Sequence, residues 1–441
     1  MIAGGNATRR CAVMALLVCS TRVSAAGLDA TEQAIVDWVD ENTAGAVELL
    51  EETVNIGSGT MNHDGVRAVG RIMQAELDAL GFDTRWIDMA EVNRAGHLFG
   101  RRDGHTGPKV LMIGHLDTVF EADDAFQSFS REGDIATGPG VDDMKSGNVI
   151  MVYALKALEA AGVLDDLSVI VAYTGDEEST GVPLATARRD LIEAGRWADV
   201  ALGFEAAVRY DDTDWATIAR RSSSGWLLTV SGRQAHSSGI FGEDVGAGAI
   251  FEAARILDAF YDEVRGEAYL TFNAGTIQGG TDVEYDAEQN RGRTFGKTNV
   301  VPQAVIVHGG LRTISTEQLE RARAAMRRIV KDNLPHTDAE IVFEDSYPPM
   351  PPTEGNRRLQ AVLSDINVAL GRGPMPALDP SRRGAADISF VAPYADALAG
   401  LGGLGEGGHT PDESFDLRSM PLAVKRAALL LYRLSRAPET P

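Results

Sequence analysis

Lys109-Val110-Leu111-Met112-Ile113-Gly114-His115-Leu116-Asp117-Thr118 passes from an unbroken apolar run to a histidine and an aspartate two positions apart. Consecutive apolar residues closed by a glycine suit a short strand buried on both faces, as in parallel sheets. On extended backbone, residues two apart face the same way, so His115 and Asp117 point together. Two later runs read alike. Leu167 to Tyr173 leads into Thr174-Gly175-Asp176-Glu177-Glu178, and Val200-Ala201-Leu202-Gly203-Phe204 leads into Glu205. Apolar residues recur at helical spacing over 145–161 and about 184–195, and earlier over 28–57 and 66–80. Alternating helices and buried strands predict an α/β fold: a mixed, mostly parallel sheet with helices on both faces.

Near residue 212 the pattern changes. Residues 216–233 alternate like a strand, 243–264 and 316–333 read as helices, and 268–278 and 303–312 as further strands. Residues 281–296, polar and glycine-bearing, read as a long hairpin loop. Ile341-Val342-Phe343, a helix over 355–371 and a closing helix over 418–435 return to the first style. The simplest division gives 1–26 to a leader, 27–212 and 336–441 to one discontinuous main domain, and 213–335 to an inserted α+β lid.

The chain has 441 residues, 44% of them hydrophobic, enough for two domains. Its formal net charge of −23 repels phosphate backbones and argues against nucleic-acid partners. Arg9-Arg10, an apolar run from Cys11 to Cys19, and small residues at Ser24-Ala25-Ala26 have the pattern of a secretory signal peptide. Export to the periplasm or the medium is expected. The run is too short to span a bilayer, so no membrane span is expected. Cys11 and Cys19 would leave with the leader, and any metal would then be held by His, Asp and Glu.

Five stretches put such residues at strand ends or in the turns that follow, where open α/β sheets gather ligands. They are His115/Asp117, Gly138 to Gly147 with Asp142 and Asp143, Asp176-Glu177-Glu178, Glu205, and Gly407-Gly408-His409. Singly, each has a bland explanation: a satisfied structural histidine, a helix-capping aspartate, a solvated acidic loop. Neighbouring carboxylates after a buried strand repel one another unless a cation compensates them. They can also divide labour, one binding metal and the other moving a proton. Beyond Asp117 and Glu177, taking one carboxylate from each of the three remaining acidic stretches, the series offers two histidines and three carboxylates. Two ions about 3.5–4 Å apart and sharing one carboxylate need about that set.

In this order, His-x-Asp, Gly-x-Gly-x-x-Asp-x-Lys-x-Gly, Asp-Glu-Glu, Phe-Glu and a late Gly-His resemble the di-zinc hydrolase family of glutamate carboxypeptidase, acetylornithine deacetylase and aminoacylase. Val54 to Thr60 resembles that family's early helix-to-turn segment. The resemblance implies a zinc-exopeptidase-like main domain and a lid that pairs into a homodimer. It implies two zinc ions per chain, with cobalt or manganese able to use the same ligands. Asp143 would bridge the ions, with a cis peptide after it. His115 and Glu205 would hold one ion, Glu178 and His409 the other. Glu177 would be the general base and then the acid, and Asp117 would orient His115.

The resemblance extends to the lid. Gly232 to Ser238 implies an oxyanion-steadying role for His236, often in the partner subunit's site. Asn299 and Arg312 fall where relatives contact substrate, although Gly310 stands where relatives carry an aspartate. Glutamate carboxypeptidases have an arginine before a proline after the lid, whereas this chain reads Tyr347-Pro348. Ser381-Arg382-Arg383-Gly384-Ala385-Ala386-Asp387 replaces a glycine-rich loop, so Arg382 or Arg383 is a candidate holder of a substrate carboxylate. The expected activity is hydrolysis of small peptides or N-acyl amino acids in the carboxypeptidase manner. The rivals are a deacetylase or aminoacylase, and a zinc-holding binding protein. Glu177 speaks against the last, since a pure binder needs no base beside its ligands.

Overall fold

The main sheet of the computed structural model, which describes residues 1, 27–286 and 291–436, has six strands. Their spatial order is Asp83–Met89, Arg94–Arg102, Leu167–Thr174, Thr106–His115, Val200–Gly203 and Asp396–Leu398. The first two strands pair antiparallel, and Arg94–Arg102 is antiparallel to Leu167–Thr174. The remaining neighbours are parallel. The sheet is therefore mixed and mostly parallel, as the sequence predicts. Apart from Met1, the leader assigned to 1–26 lies outside the described residues. Among the described residues no helix is long and apolar enough to cross a membrane.

Alternation along the central strand shows why its apolar run is continuous. Val110 and Met112 enter one core with Ala30–Val54, Ser146–Ala160 and Met420–Arg436. Leu111 and Ile113 enter another with Leu191, Ile388 and Val391. Both faces are covered, so every position is apolar. The register sets His115 beside Thr174 and Ile113 beside Gly203. The turns after all three central strands thus open on one edge of the sheet. The outer strands Asp83–Met89 and Arg94–Arg102 and the three-residue Asp396–Leu398 escape the sequence reading, being polar-rich or too short to show a period.

Four antiparallel strands form the lid sheet, in the order Thr271–Gly280, Ala304–Arg312, Ser224–Gly232 and Thr337–Asp345. Helices Ala249–Glu263 and Thr316–Val330 pack on one face around Trp226, Val307, Phe260 and Met326, a core separate from the other two. Three expectations need correction. Thr337–Asp345, placed in the main domain by the division at 335, pairs with Ser224–Gly232 from Ser224↔Asp345 to Gly232↔Thr337. Ala339, Ile341 and Phe343 are only partly buried, and all three lie on the lid core; a half-buried strand imitates a main-sheet strand when only its apolar centre is read. At the other boundary, Ala216, Thr217 and Arg220 bridge to Ala377, Ala399 and Met350 of the main domain, so the lid sheet begins at Ser224. Residues 281–296 are also more than a loop. Asp282–Asp286 and Arg291–Phe295 form an antiparallel ribbon, whose largely exposed strands give no apolar alternation to read.

Trp226 is fully buried, donates from Nε1 to the Gly310 carbonyl at 3.1 Å and meets the Phe260 ring edge-on. Trp226→Ala should cost about 3–5 kcal/mol. Because the lid core is separate, hydrogen exchange should quicken in Ser224–Gly232 and Ala304–Arg312 and stay unchanged in Thr106–His115.

Candidate metal centre

Where the three central strands end, two histidines and three carboxylates meet. Asp143 stands at the centre: its Oδ1 lies 3.1 Å from His115 Nε2 and its Oδ2 lies 3.2 Å from His409 Nε2. His409 Nε2 is also 3.2 Å from Glu178 Oε2. Atoms of His115, Glu177 and Glu178 lie within 4.8 Å of one another, and so do those of Asp143, Glu178 and His409. Gly140 precedes the Asp143 turn at φ 73° and Gly407 precedes His409 at the same φ, a left-handed conformation that glycine adopts without cost. The Asp143–Met144 peptide is cis, as the resemblance implies.

A scaffold of hydrogen bonds sets these positions. Glu413 accepts from the backbone N–H groups of Gly140, Asp142 and Asp143 at 3.1, 2.9 and 2.9 Å and so shapes the turn. Asn148 Nδ2 donates to the His115 carbonyl at 2.6 Å. Buried Asp117 stands against His115, whose Nδ1 lies 3.0 Å from the Asp117 carbonyl and 3.5 Å from its carboxylate. That carboxylate accepts from Thr60 Oγ1 at 2.7 Å and from the N–H groups of Glu177 and Glu178 at 3.0 and 3.1 Å. Asp117 thereby ties the first strand end to the acidic turn. Glu413 follows the late Gly407-Gly408-His409 motif by four residues, but nothing in its spacing marked it as a scaffold.

The charges are unbalanced in a way that a cation would relieve. Both ring nitrogens of His115 face acceptors, so without metal the ring must carry two protons. Burial opposes that charge, but hydrogen bonds to Asp117 and Asp143 outweigh it and hold the pKa well above the usual histidine value. Hydrogen bonds to Asp143 and Glu178 push His409 up to about 10. Burial opposes the ionisation of Asp143, yet the two histidines keep its pKa below the usual carboxylate range. For Glu177, burial raises the pKa well above the ordinary value; His115 opposes this, while Glu205, Asp387 and Glu178 add to it. Glu178 Oε1 and Asp142 Oδ1 are buried without a hydrogen-bond partner. Oxygen and imidazole donors, a shared carboxylate and an orphaned carboxylate oxygen fit a divalent-ion centre.

The other predicted residues divide into two groups. Glu205 lines the small pocket that also touches His115, and one of its oxygens is paired with Arg220, a buried residue the sequence reading passed over. Nothing distinguished Arg220 from its neighbour Arg221 in one dimension. Arg383 Nη2 donates to the Ala206 carbonyl at 2.5 Å, and its Nε is buried without a partner. Burial and nearby Arg220 lower its pKa to about 10. It lines a cleft of about 830 Å³ together with Asp142, Ala206, Tyr210 and Gly408. Arg382 is exposed and stacks on Tyr210 with its guanidinium carbon 4.4 Å from the ring centre. By contrast, the exposed His236, Asn299 and Arg312 lie on the lid. The first two are neighbours, with Ser237 N donating to the Asn299 carbonyl at 2.9 Å. Among the described residues, no hydrogen bond or ion pair joins these three to the Asp143 cluster.

Comparison with known proteins places the chain in a family and matches its fold. The sequence model for peptidase family M20/M25/M40 matches residues 111–433. Carboxypeptidase G2 of Pseudomonas sp. (strain RS-16) is 26% identical over 403 residues, spanning 90% of each chain. The aminopeptidase PepT of Bacillus cereus superposes with a TM-score of 0.70 at 18% identity, covering 89% of this chain and 99% of that one. An M20 family metallo-carboxypeptidase of Sulfolobus solfataricus superposes with a TM-score of 0.65 at 15% identity, again over 89% and 99%.

One buried cation offers a test of the scaffold. Lys145 is almost wholly buried, and its Nζ donates to the Ile56 carbonyl at 2.9 Å. Burial lowers its pKa from 10.5 to about 7, against the pull of Glu413. Between those values the unfolded chain binds a proton that the folded chain does not, so this lysine makes stability rise with pH. Lys145→Met removes that dependence. In urea unfolding with chelator present, the stability of the variant relative to the wild type should be highest near pH 7 and fall steadily towards pH 10.

Proposed function

We propose, on the premise that the chain belongs to peptidase family M20/M25/M40, that it is an exported zinc hydrolase of the carboxypeptidase kind. Its substrates would be short peptides or N-acyl amino acids, cut at the amide beside an amino acid with a free carboxylate. The observation that carries this reading is the Asp143 carboxylate, one oxygen facing His115 and the other His409, with Glu177 alongside. No hydrogen bond among the described residues engages the Glu177 carboxylate. The name of carboxypeptidase G2 and those of succinyl-diaminopimelate desuccinylases, one of them 32% identical over 172 residues, point to the same bond class.

Asp143 would bridge two zinc ions, His115 and Glu205 would hold one, and Glu178 and His409 the other. For Glu205 to serve as a ligand, its oxygens must be divided between the ion and Arg220. Zinc would supply Lewis acidity and a nucleophile at neutral pH. Glu177 would take the proton of the attacking water and return it to the leaving nitrogen. Its raised pKa suits that task, since an effective base titrates near the working pH. Arg383, with an unpartnered Nε beside the cleft, is the best placed of the proposed carboxylate holders, Arg312, Arg382 and Asn299 being the others.

His236 would complete a site as an oxyanion donor of the partner subunit, which accords with its having, among the described residues, no hydrogen bond or ion pair to its own chain's cluster. The lid offers a surface for such pairing. Thr271–Gly280 is an edge strand with Ile277 exposed, and Ile250 and Phe251 are exposed on the neighbouring helix. Export rests on the leader-like residues 1–26 alone.

Zinc-loaded protein should hydrolyse members of a panel of dipeptides and N-acetyl and N-benzoyl amino acids, and chelator should abolish the activity. Turnover of acyl-amino acids blocked at the carboxylate would overturn the carboxypeptidase reading. Glu177→Gln should lower kcat about 10²- to 10⁴-fold, and Arg383→Ala should raise KM with a smaller change in kcat.

A further inference from the structure

The acidic turn is held on its far side by a second cluster, none of whose members is a proposed ligand. Arg188 is fully buried and donates from Nη1 to Asp176 Oδ1 at 2.5 Å and from Nε to Asp387 Oδ1 at 2.8 Å. Its Nη2 reaches the Asp176 carbonyl at 3.2 Å, Thr180 Oγ1 at 3.3 Å and Tyr347 Oη at 3.2 Å. Tyr347 Oη donates to the Glu177 carbonyl at 2.7 Å. Thr174 Oγ1 donates to Asp387 Oδ2 at 2.5 Å, and Gly181 N donates to Asp176 Oδ2 at 2.8 Å.

Tyr347 is also part of the connection between lid and main domain. It follows the last lid strand, Thr337–Asp345, by two residues. Its carbonyl accepts from Ser223 N at 2.9 Å, and three residues on Met350 exchanges backbone hydrogen bonds with Arg220 at 2.9 and 3.0 Å. The two connecting segments are thus paired. One sends Arg220 to Glu205, and the other sends Tyr347 to Glu177.

Stability alone is a weak reason for such a cluster. One buried guanidinium with two buried carboxylates is costly to desolvate, and apolar residues of similar volume often serve a core equally well. What apolar residues cannot do is grip a peptide group. The Glu177 N–H is held by Asp117 and its carbonyl by Tyr347, so both backbone polar atoms of this residue are fixed while its carboxylate is left free.

We propose that Tyr347, backed by Arg188, is a positioning residue for Glu177, tying the backbone of the base to the lid connection. The proposal rests on Glu177 being the base.

Tyr347→Phe removes the hydroxyl and keeps the ring, which packs 5.1 Å from Phe390 between centroids. In the zinc-loaded full chain, assayed on whichever panel member is cleaved best, kcat should fall about 10- to 100-fold, the size expected when a reacting group is misplaced. KM and bound zinc should hold. Arg188→Lys should keep more kcat than Arg188→Met. A Tyr347→Phe enzyme with kcat within twofold of the wild type would overturn the proposal, and so would a loss that appears in KM or in zinc content. Glu177→Gln separates the two ideas. If it stays active, the base assignment fails. If it is inactive while Tyr347→Phe is unimpaired, only the positioning role fails.

Discussion

Repulsion among carboxylates is the constraint around which this molecule is built. Asp142, Asp143, Glu177, Glu178 and Glu205 converge at one edge of a sheet, with His115 and His409 as the nearest cations of the cluster and Arg220 paired to Glu205. Such a group persists only if something holds it against its own charge. Part of the restraint is covalent geometry: parallel strands end at the same level, and the short turns after them have nowhere else to go. Part is hydrogen bonding by residues that do not enter the cluster. Asp117 binds the acidic turn to the neighbouring strand end, and Glu413 gathers three N–H groups of the Asp143 turn. The remaining imbalance is what bound divalent metal would neutralise.

The same logic explains the buried polar groups behind the site. Arg188 compensates Asp176 and Asp387, carboxylates that would otherwise oppose the cluster from below. Lys145 donates to the Ile56 carbonyl and lies near Glu413 at the base of the Asp143 turn. Each side chain is costly in isolation and makes sense only as part of one charge arrangement. The lid, with its own apolar core, bears none of this burden, and its two connecting segments are where it meets the site.

Much of this was legible in one dimension because each signal is local. A strand covered on both faces must be continuously apolar, so Val110 to Ile113, Leu167 to Tyr173 and Val200 to Leu202 declared themselves. Family membership followed from the order and spacing of short motifs, and the match over residues 111–433 bears it out. Features without a local period were lost. The strands Asp83–Met89 and Arg94–Arg102 are interrupted by polar residues or glycines, the ribbon of Asp282–Asp286 and Arg291–Phe295 buries little, and Thr337–Asp345 was given to the wrong domain because three apolar letters do not say which sheet they cover.

The sequence by itself determined the α/β class, the membership in a peptidase family and the residue types that gather at the strand ends, because periodicity and motif spacing are properties of neighbouring letters. Only the tertiary structure decided which distant residues serve those types. Arg220 reaches Glu205, Arg188 reaches Asp387 across 199 positions, and Tyr347 reaches the Glu177 carbonyl across 170. An arginine or a tyrosine carries no mark of its partner in one dimension; the partner is chosen when folding closes the loop between them and leaves one polar group within reach of another.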